Sequence, residues 1–284
     1  MSNWAYTDAG FLLRSELWLE LTNRSFSYGD GLFESIRIAN GKALFLDKHI
    51  ARLQAGMKIC GLENDIISES KLLEVSSELI RRNKLQGGRL KIQVYRTDGG
   101  YYKPAADDAH LFVSTELLAN STFIWNNKGL QTGLYAEVKK PINLLSGLKS
   151  NSALLYVLAA REARIKAWDE IFILNELGSL CEGSSSSIFL VDNAGTVHTP
   201  ALSQGLLPGI MRENIIELMR SNGMVCVERE IRPEELFEVS ELFITNAIHG
   251  IRWVVSYNDK RYFNNIGKGV FRLLQEQVLQ IASI

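Results

Sequence analysis

The chain has 284 residues, 46% of them apolar and 22% charged, with 22 Gly and only 5 Pro; such proportions exclude collagen-like and disordered chains, and at about 100 to 200 residues per domain the length suggests two domains. Its 31 basic and 32 acidic residues leave a net charge of −1, so no global field draws it to nucleic acid or to an anionic bilayer. Cys60, Cys181 and Cys226 are odd in number and never spaced as CxxC, which fits reduced thiols; with neither a leader pattern nor about 18 consecutive apolar residues, the expected location is the cytoplasm.

In chain order, Ser35 to Phe45 reads as a hairpin, because Ile36, Ile38 and Leu44 flank the turn pair Asn40-Gly41. A helix follows, capped by Asp47, with Ile50, Leu53 and Met57 on one stripe, Arg52 on the outward side and Gly61 as the stop. A second helix covers 69–82, and β-rich runs cover 89–96 and 110–115. The segment 120–128 turns polar and carries the expected boundary. Beyond it come a strand at 130–138, a helix at about 151–168, and strands at 170–174 and 187–191, the last leading into the turn Asp192-Asn193-Ala194-Gly195. A helix at 210–221, strands at 224–228, 241–245 and 251–257, and a final helix carrying Val270, Leu273, Leu274, Gln277 and Ile281 complete the chain. Strands this close to turns predict an antiparallel or mixed sheet rather than a doubly wound one.

Four scattered histidines without HExxH spacing give no reason to expect a metal. Gly29-Asp30-Gly31 matches half of a dinucleotide loop, with Glu34 at the third glycine position. Ser146-Gly147-Leu148-Lys149 matches SxxK, but the SDN and KTG partners of acyl-serine enzymes are missing. Lys149 is the more telling residue, since the predicted helix start would set its cation against the helix dipole. In Cys181-Glu182-Gly183-Ser184-Ser185-Ser186-Ser187 an acid and hydroxyls precede a buried strand, and a carboxylate there needs a partner. Leu207-Pro208-Gly209-Ile210-Met211-Arg212 is a turn opening a helix, whose free N–H groups suit a phosphate. An amine, an acid for a pyridine nitrogen and a phosphate seat are the requirements of pyridoxal phosphate.

These segments resemble the class IV aminotransferases, the fold-type IV pyridoxal-phosphate enzymes, and so do Tyr28-Gly29-Asp30-Gly31-Leu32-Phe33-Glu34, His49-Ile50-Ala51-Arg52-Leu53 and Thr245-Asn246-Ala247. The resemblance runs from about residue 24 to 257. It implies an α+β fold: a small N-terminal α/β domain (1–119), a linker (120–128) and a larger cofactor-binding domain (129–284) around a β-barrel. It also implies pyridoxal 5′-phosphate as cofactor and a homodimer. Lys149 would be the Schiff-base lysine and the catalytic residue, and Glu182 the partner of the pyridine nitrogen. Arg52, Ser186, Ser187, Ile210, Met211, Asn246 and Ala247 would attend the cofactor and its phosphate, with Leu207 on the ring face. Tyr28, Glu34, Arg37, Lys91 and Tyr95 would face the substrate.

Within the family, Glu182-Gly183-Ser184-Ser185-Ser186 resembles D-amino-acid transaminases, and Phe33-Glu34-Ser35-Ile36-Arg37 resembles branched-chain transaminases, whose tyrosine five residues after the lysine is here Leu154. Leu90-Lys91, Met211 and Asn246-Ala247 resemble 4-amino-4-deoxychorismate lyase. The expected activity is transamination between a small amino acid and a 2-oxo acid. The lyase, releasing 4-aminobenzoate and pyruvate, is the alternative, and a cofactor-binding protein without catalysis is a third.

Overall fold

A computed structural model describes residues 3–64 and 67–283. The chain divides into two compact units, one of residues 1–123, 149–153 and 280–284, the other of residues 124–148 and 154–279.

The first unit contains β1 (Trp4–Thr7), β2 (Gly10–Leu13), α1 (Arg24–Tyr28), β3 (Gly31–Ala39), β4 (Lys42–Ala43), α2 (Leu46–Cys60), α3 (Glu69–Arg82), β5 (Gly87–Arg96) and β6 (Ala109–Leu117). Its six strands form an antiparallel sheet in the order β2-β1-β6-β5-β3-β4. Alternation drives this: Leu32, Ile36 and Ile38 of β3 and Leu90, Ile92 and Val94 of β5 are buried on one face, where Ile50, Leu53 and Met57 of α2 and Leu72, Val75 and Leu79 of α3 are also buried. The expected hairpin is present, with Asn40 and Gly41 at φ of 48° and 78°, the left-handed pair that a two-residue turn requires. Helix α2 differs in one detail: Phe45 is its N-cap and Asp47 lies inside the first turn. Gly29-Asp30-Gly31 ends a helix rather than opening one, since Gly29 is the left-handed C-cap of α1.

The second unit contains β7 (Leu130–Lys140), α4 (Leu154–Ile165), β8 (Glu170–Asn175), β9 (Leu180–Gly183), β10 (Ser187–Val191), β11 (Val197–Pro200), α5 (Ile210–Ser221), β12 (Cys226–Arg229), β13 (Glu241–Asn246), β14 (Gly250–Tyr257), β15 (Lys260–Arg261) and most of α6 (Asn265–Ser283). Nine strands make one mixed sheet in the order β12-β11-β10-β13-β14-β7-β8-β9, with β15 beside β14. The pairs β11–β12, β14–β7 and β7–β8 are parallel and the others antiparallel. Strand β9 packs back against β10 and β11, so the sheet curls into a half-barrel filled by Phe172, Leu180, Ile188, Leu190, Leu242, Ile244 and Val254. Helix α4 begins at Leu154, later than the periodicity predicts. Residues 149–151 are extended instead and bonded to β3: Phe33 donates to the Lys149 carbonyl at 2.9 Å and Asn151 to the Gly31 carbonyl at 2.9 Å. Lys149 therefore does not sit at a helix terminus, and the dipole expectation for it does not hold. Among the described residues, no helix is long and apolar enough to cross a membrane.

Candidate active site

In the first unit the extended link to β3 places the Lys149 ammonium 4.6 Å from the centre of the Phe33 ring, and Lys91 approaches the same ring at 5.3 Å. Lys91 follows from the ladder, since Ser35 pairs with Lys91 and Phe33 with Gln93. Burial, and then the charge of Arg89, lower the proton affinity of Lys91. Tyr95 lies on the same strand, two residues beyond Gln93, with its ring against His110 at 5.5 Å. Tyr28 is further out, 40% exposed and packed on Tyr102.

Glu34 alternates with Phe33 onto the buried face. There its carboxylate, 1% exposed, accepts from Arg52 Nε at 2.8 Å and Nη2 at 2.6 Å and meets His49 Nδ1 at 2.6 Å. Arg52 is thus turned inward onto a strand, not outward to solvent as the helix stripe predicts. Burial pushes the Glu34 carboxyl up, but the hydrogen bonds and charges of His49 and Arg52 outweigh it and hold the group at about 2. His49 moves down, chiefly because burial disfavours its cation, with Arg52 and Lys149 adding repulsion. The neutral ring then carries its proton on Nδ1 and donates to Glu34. Arg37 is also drawn inward: Nη2 donates to the carbonyls of Asn120 and of Thr122, the latter at 2.8 Å.

In the second unit Glu182 lies in β9, 5% exposed. Its Oε1 accepts from the Lys140 ammonium and from the Tyr156 hydroxyl at 2.7 Å, and its Oε2 from the Leu207 N–H at 2.9 Å. Lys140 reaches this position through an irregularity in the β7–β8 ladder between Tyr135 and Lys140, which buries its side chain after four exposed residues. The serines that follow are gathered by the buried Glu170, which accepts from the Ser184 N–H and from the hydroxyls of Ser184, Ser185 and Ser186 at 2.5, 3.2 and 2.8 Å. Ser187 points instead toward Gly209, the N-cap of α5: a Cβ on that glycine would stand 2.7 Å from the Ser187 hydroxyl. No side chain caps α5, so the Ile210 and Met211 N–H groups head an uncapped helix. Thr245, opposite Ser187 in the β10–β13 ladder, has a buried hydroxyl without a hydrogen-bond partner. At the end of β13, Asn246 donates to the Ser185 carbonyl at 3.1 Å and its side-chain oxygen accepts from Ile248 and His249, which turns the chain at Ala247.

The model of the amino-transferase class IV family matches residues 31–257. The chain belongs to the class IV aminotransferases. It is 28% identical over 236 residues to a D-alanine aminotransferase of Bacillus licheniformis, covering 82% of this chain and 81% of that one. It is 25% identical over 272 residues to an aminodeoxychorismate lyase of Bacillus subtilis, covering 94% and 91%. Among solved structures, a branched-chain amino acid aminotransferase from Thermobaculum terrenum in its PLP form superposes with a TM-score of 0.87 at 19% identity, over 98% of this chain and 94% of that one. The small antiparallel sheet and the curled mixed sheet are thus the class IV fold. Within this class IV chain, Lys140, Tyr156, Glu170 and Thr245 carry no role in the sequence reading. Thr245 enters there only within the Thr245-Asn246-Ala247 segment, and Glu170 only as the first residue of the strand at 170–174.

Proposed function

We propose that this class IV enzyme is a pyridoxal-5′-phosphate-dependent aminotransferase that exchanges the amino group of a small amino acid with a 2-oxo acid. The observation that carries the cofactor is Glu182, a buried carboxylate whose Oε2 accepts a single N–H and so keeps a lone pair for a ring nitrogen. The uncapped start of α5 beside an orphaned Thr245 hydroxyl fits the phosphate. When bound, pyridoxal phosphate supplies an electron-withdrawing pyridine ring conjugated to the carbon that takes up the amine.

The residues divide the remaining work. Lys149 would carry the cofactor on Nζ and would move the α-proton of the bound substrate as general base and acid. Glu182 would hold a proton at the ring nitrogen. The backbone of Ile210 and Met211, the Asn246-Ala247 turn, Ser187 and Arg52 would be the groups to hold the phosphate, and Leu207 the one to face the ring. The Ser186 hydroxyl donates to Glu170, so Ser186 acts through the shape of its loop. Glu34, committed to Arg52 and His49, orients that arginine rather than touching substrate. Lys91 and Tyr95 hold the substrate carboxylate, with Tyr28 at the outer edge, and Arg37 braces the segment beyond β6. The free thiols suit a reducing compartment, the cytoplasm. The protein works as a homodimer, consistent with Leu154, Val157 and Ile165 of α4 standing 68%, 59% and 58% exposed.

The lyase reading keeps the same cofactor and draws on the likeness to the Bacillus subtilis lyase. Amino acids added singly, without any oxo-acid acceptor, separate the two. An aminotransferase releases one equivalent of 2-oxo acid per site and stops. No 2-oxo acid from any L- or D-donor, with continuous pyruvate release from aminodeoxychorismate, would replace the first reading by the second.

A further inference from the structure

We infer that Lys140 and Tyr156 are a pair of positioning residues that clamp Oε1 of Glu182, present Oε2 to the ring nitrogen of the cofactor, and weaken this carboxylate's hold on the nitrogen's proton. The inference rests on the assignment of Glu182 to that nitrogen and goes beyond it, because it says what sets the strength of the pairing.

A carboxylate oxygen accepts through two lone pairs. Those of Oε1 are filled by Lys140 Nζ and Tyr156 Oη, while Oε2 has only the Leu207 N–H. The three donors come from β7, α4 and the loop before α5, so the carboxylate plane is held from three sides. Lys140 also lies 5.5 Å from the centre of the Tyr156 ring, which locks the two clamp residues to each other.

The charges then decide what the clamp does. The titratable groups that bear on Glu182 from the packed elements are Lys140, Tyr156 and its neighbour Cys181. Burial, reinforced by the charge of Glu182, raises the Tyr156 hydroxyl far above its ordinary range and pushes the Cys181 thiol up to about 12. Both stay neutral, and Lys140 is the one cation beside the carboxylate among these groups. Lys140 and Glu182 therefore cancel, and a protonated ring nitrogen adds a net positive charge to the buried cluster. A glutamate without its lysine would form a neutral pair with that nitrogen and keep the proton to higher pH.

The test is the pH midpoint at which ring-15N-labelled pyridoxal phosphate, bound to the full-length protein, loses its ring proton by NMR. In Lys140→Met the midpoint should rise by about 1 to 3 pH units, the effect of one nearby charge. Lys140→Arg, which restores the cation, should return it toward the wild-type value. Tyr156→Phe should raise it by a smaller step, and this variant is decisive if Lys140→Met fails to hold the cofactor. A midpoint unchanged in Lys140→Met, or in Tyr156→Phe where that variant is the one read, overturns the clamp. Glu182→Gln separates the two levels of the argument. If it leaves the ring signal at its wild-type position, the assignment of Glu182 is itself wrong; if it shifts the signal while Lys140→Met does not, only the clamp is lost.

Discussion

Glu34 shows how far a single side chain departs from what its neighbours in sequence suggest. It stands in a motif that resembles a substrate-facing segment, yet strand alternation sends it to the helix-covered face, where a buried anion persists only with paired donors. Its carboxyl falls from the ordinary 4.5 to about 2, so its contribution to stability is complete above about pH 4.5 and is lost as pH falls toward about 2. At 1.36 kcal/mol per pH unit that contribution is roughly 3 kcal/mol. His49, moved down from 6.5, acts in the same direction, because the unfolded chain takes up its proton first as pH drops below about 6.5. Urea unfolding of wild type and Glu34→Gln should show a stability gap that is full above about pH 4.5 and narrows as pH falls toward about 2; a gap independent of pH would contradict the pairing. Arg52 was visible in the sequence as a cation off the apolar stripe, but its partner, 18 positions earlier on a strand, was not. Titrating apoprotein with pyridoxal phosphate should show Arg52→Ala binding more weakly by about 1.5 to 3 kcal/mol, the worth of a charged hydrogen bond. Unchanged affinity would remove Arg52 from the phosphate.

At the level of elements, local signals were reliable where they were purely local. The Asn40-Gly41 hairpin, the helix over 69–82 and the helix over 210–221 follow from turn chemistry and apolar spacing within one window, and they stand where those signals put them. The start of α4 does not. The Lys149 carbonyl and the Asn151 N–H are taken by Phe33 and Gly31, about 120 positions away, and such competition leaves no mark in a local window. Lys140, Tyr156 and Glu182 were illegible as a set for the same reason, lying on β7, α4 and β9, which only the tertiary packing brings together. The start of α5 offers a test at this scale. A Cβ on Gly209 would press on the Ser187 hydroxyl at 2.7 Å, so Gly209→Ala should weaken cofactor binding by roughly tenfold, the effect of about 1.4 kcal/mol. Equal affinity in wild type and Gly209→Ala would show that the helix start does not hold the phosphate.

For the molecule as a whole, the alternation of short strands with turns was enough to exclude a doubly wound sheet and to expect the mixed and antiparallel sheets that are present. The order of strands was not legible, because parallel neighbours such as β7 and β14 are more than a hundred residues apart. Helix α4 buries only Ala159 and Ala163 and leaves Leu154, Val157 and Ile165 exposed, a pattern that a second subunit would cover. Sedimentation should give the mass of a dimer, and Val157→Asp should shift it toward monomer; a monomeric wild type would contradict the dimer. The central claim is that Lys149 carries pyridoxal phosphate. Reducing the purified protein with borohydride and mapping its peptides by mass tests this directly: the account expects the phosphopyridoxyl group on Lys149, with none in Lys149→Ala, whereas a label on any other lysine, or no label on a protein that retains activity, would contradict it.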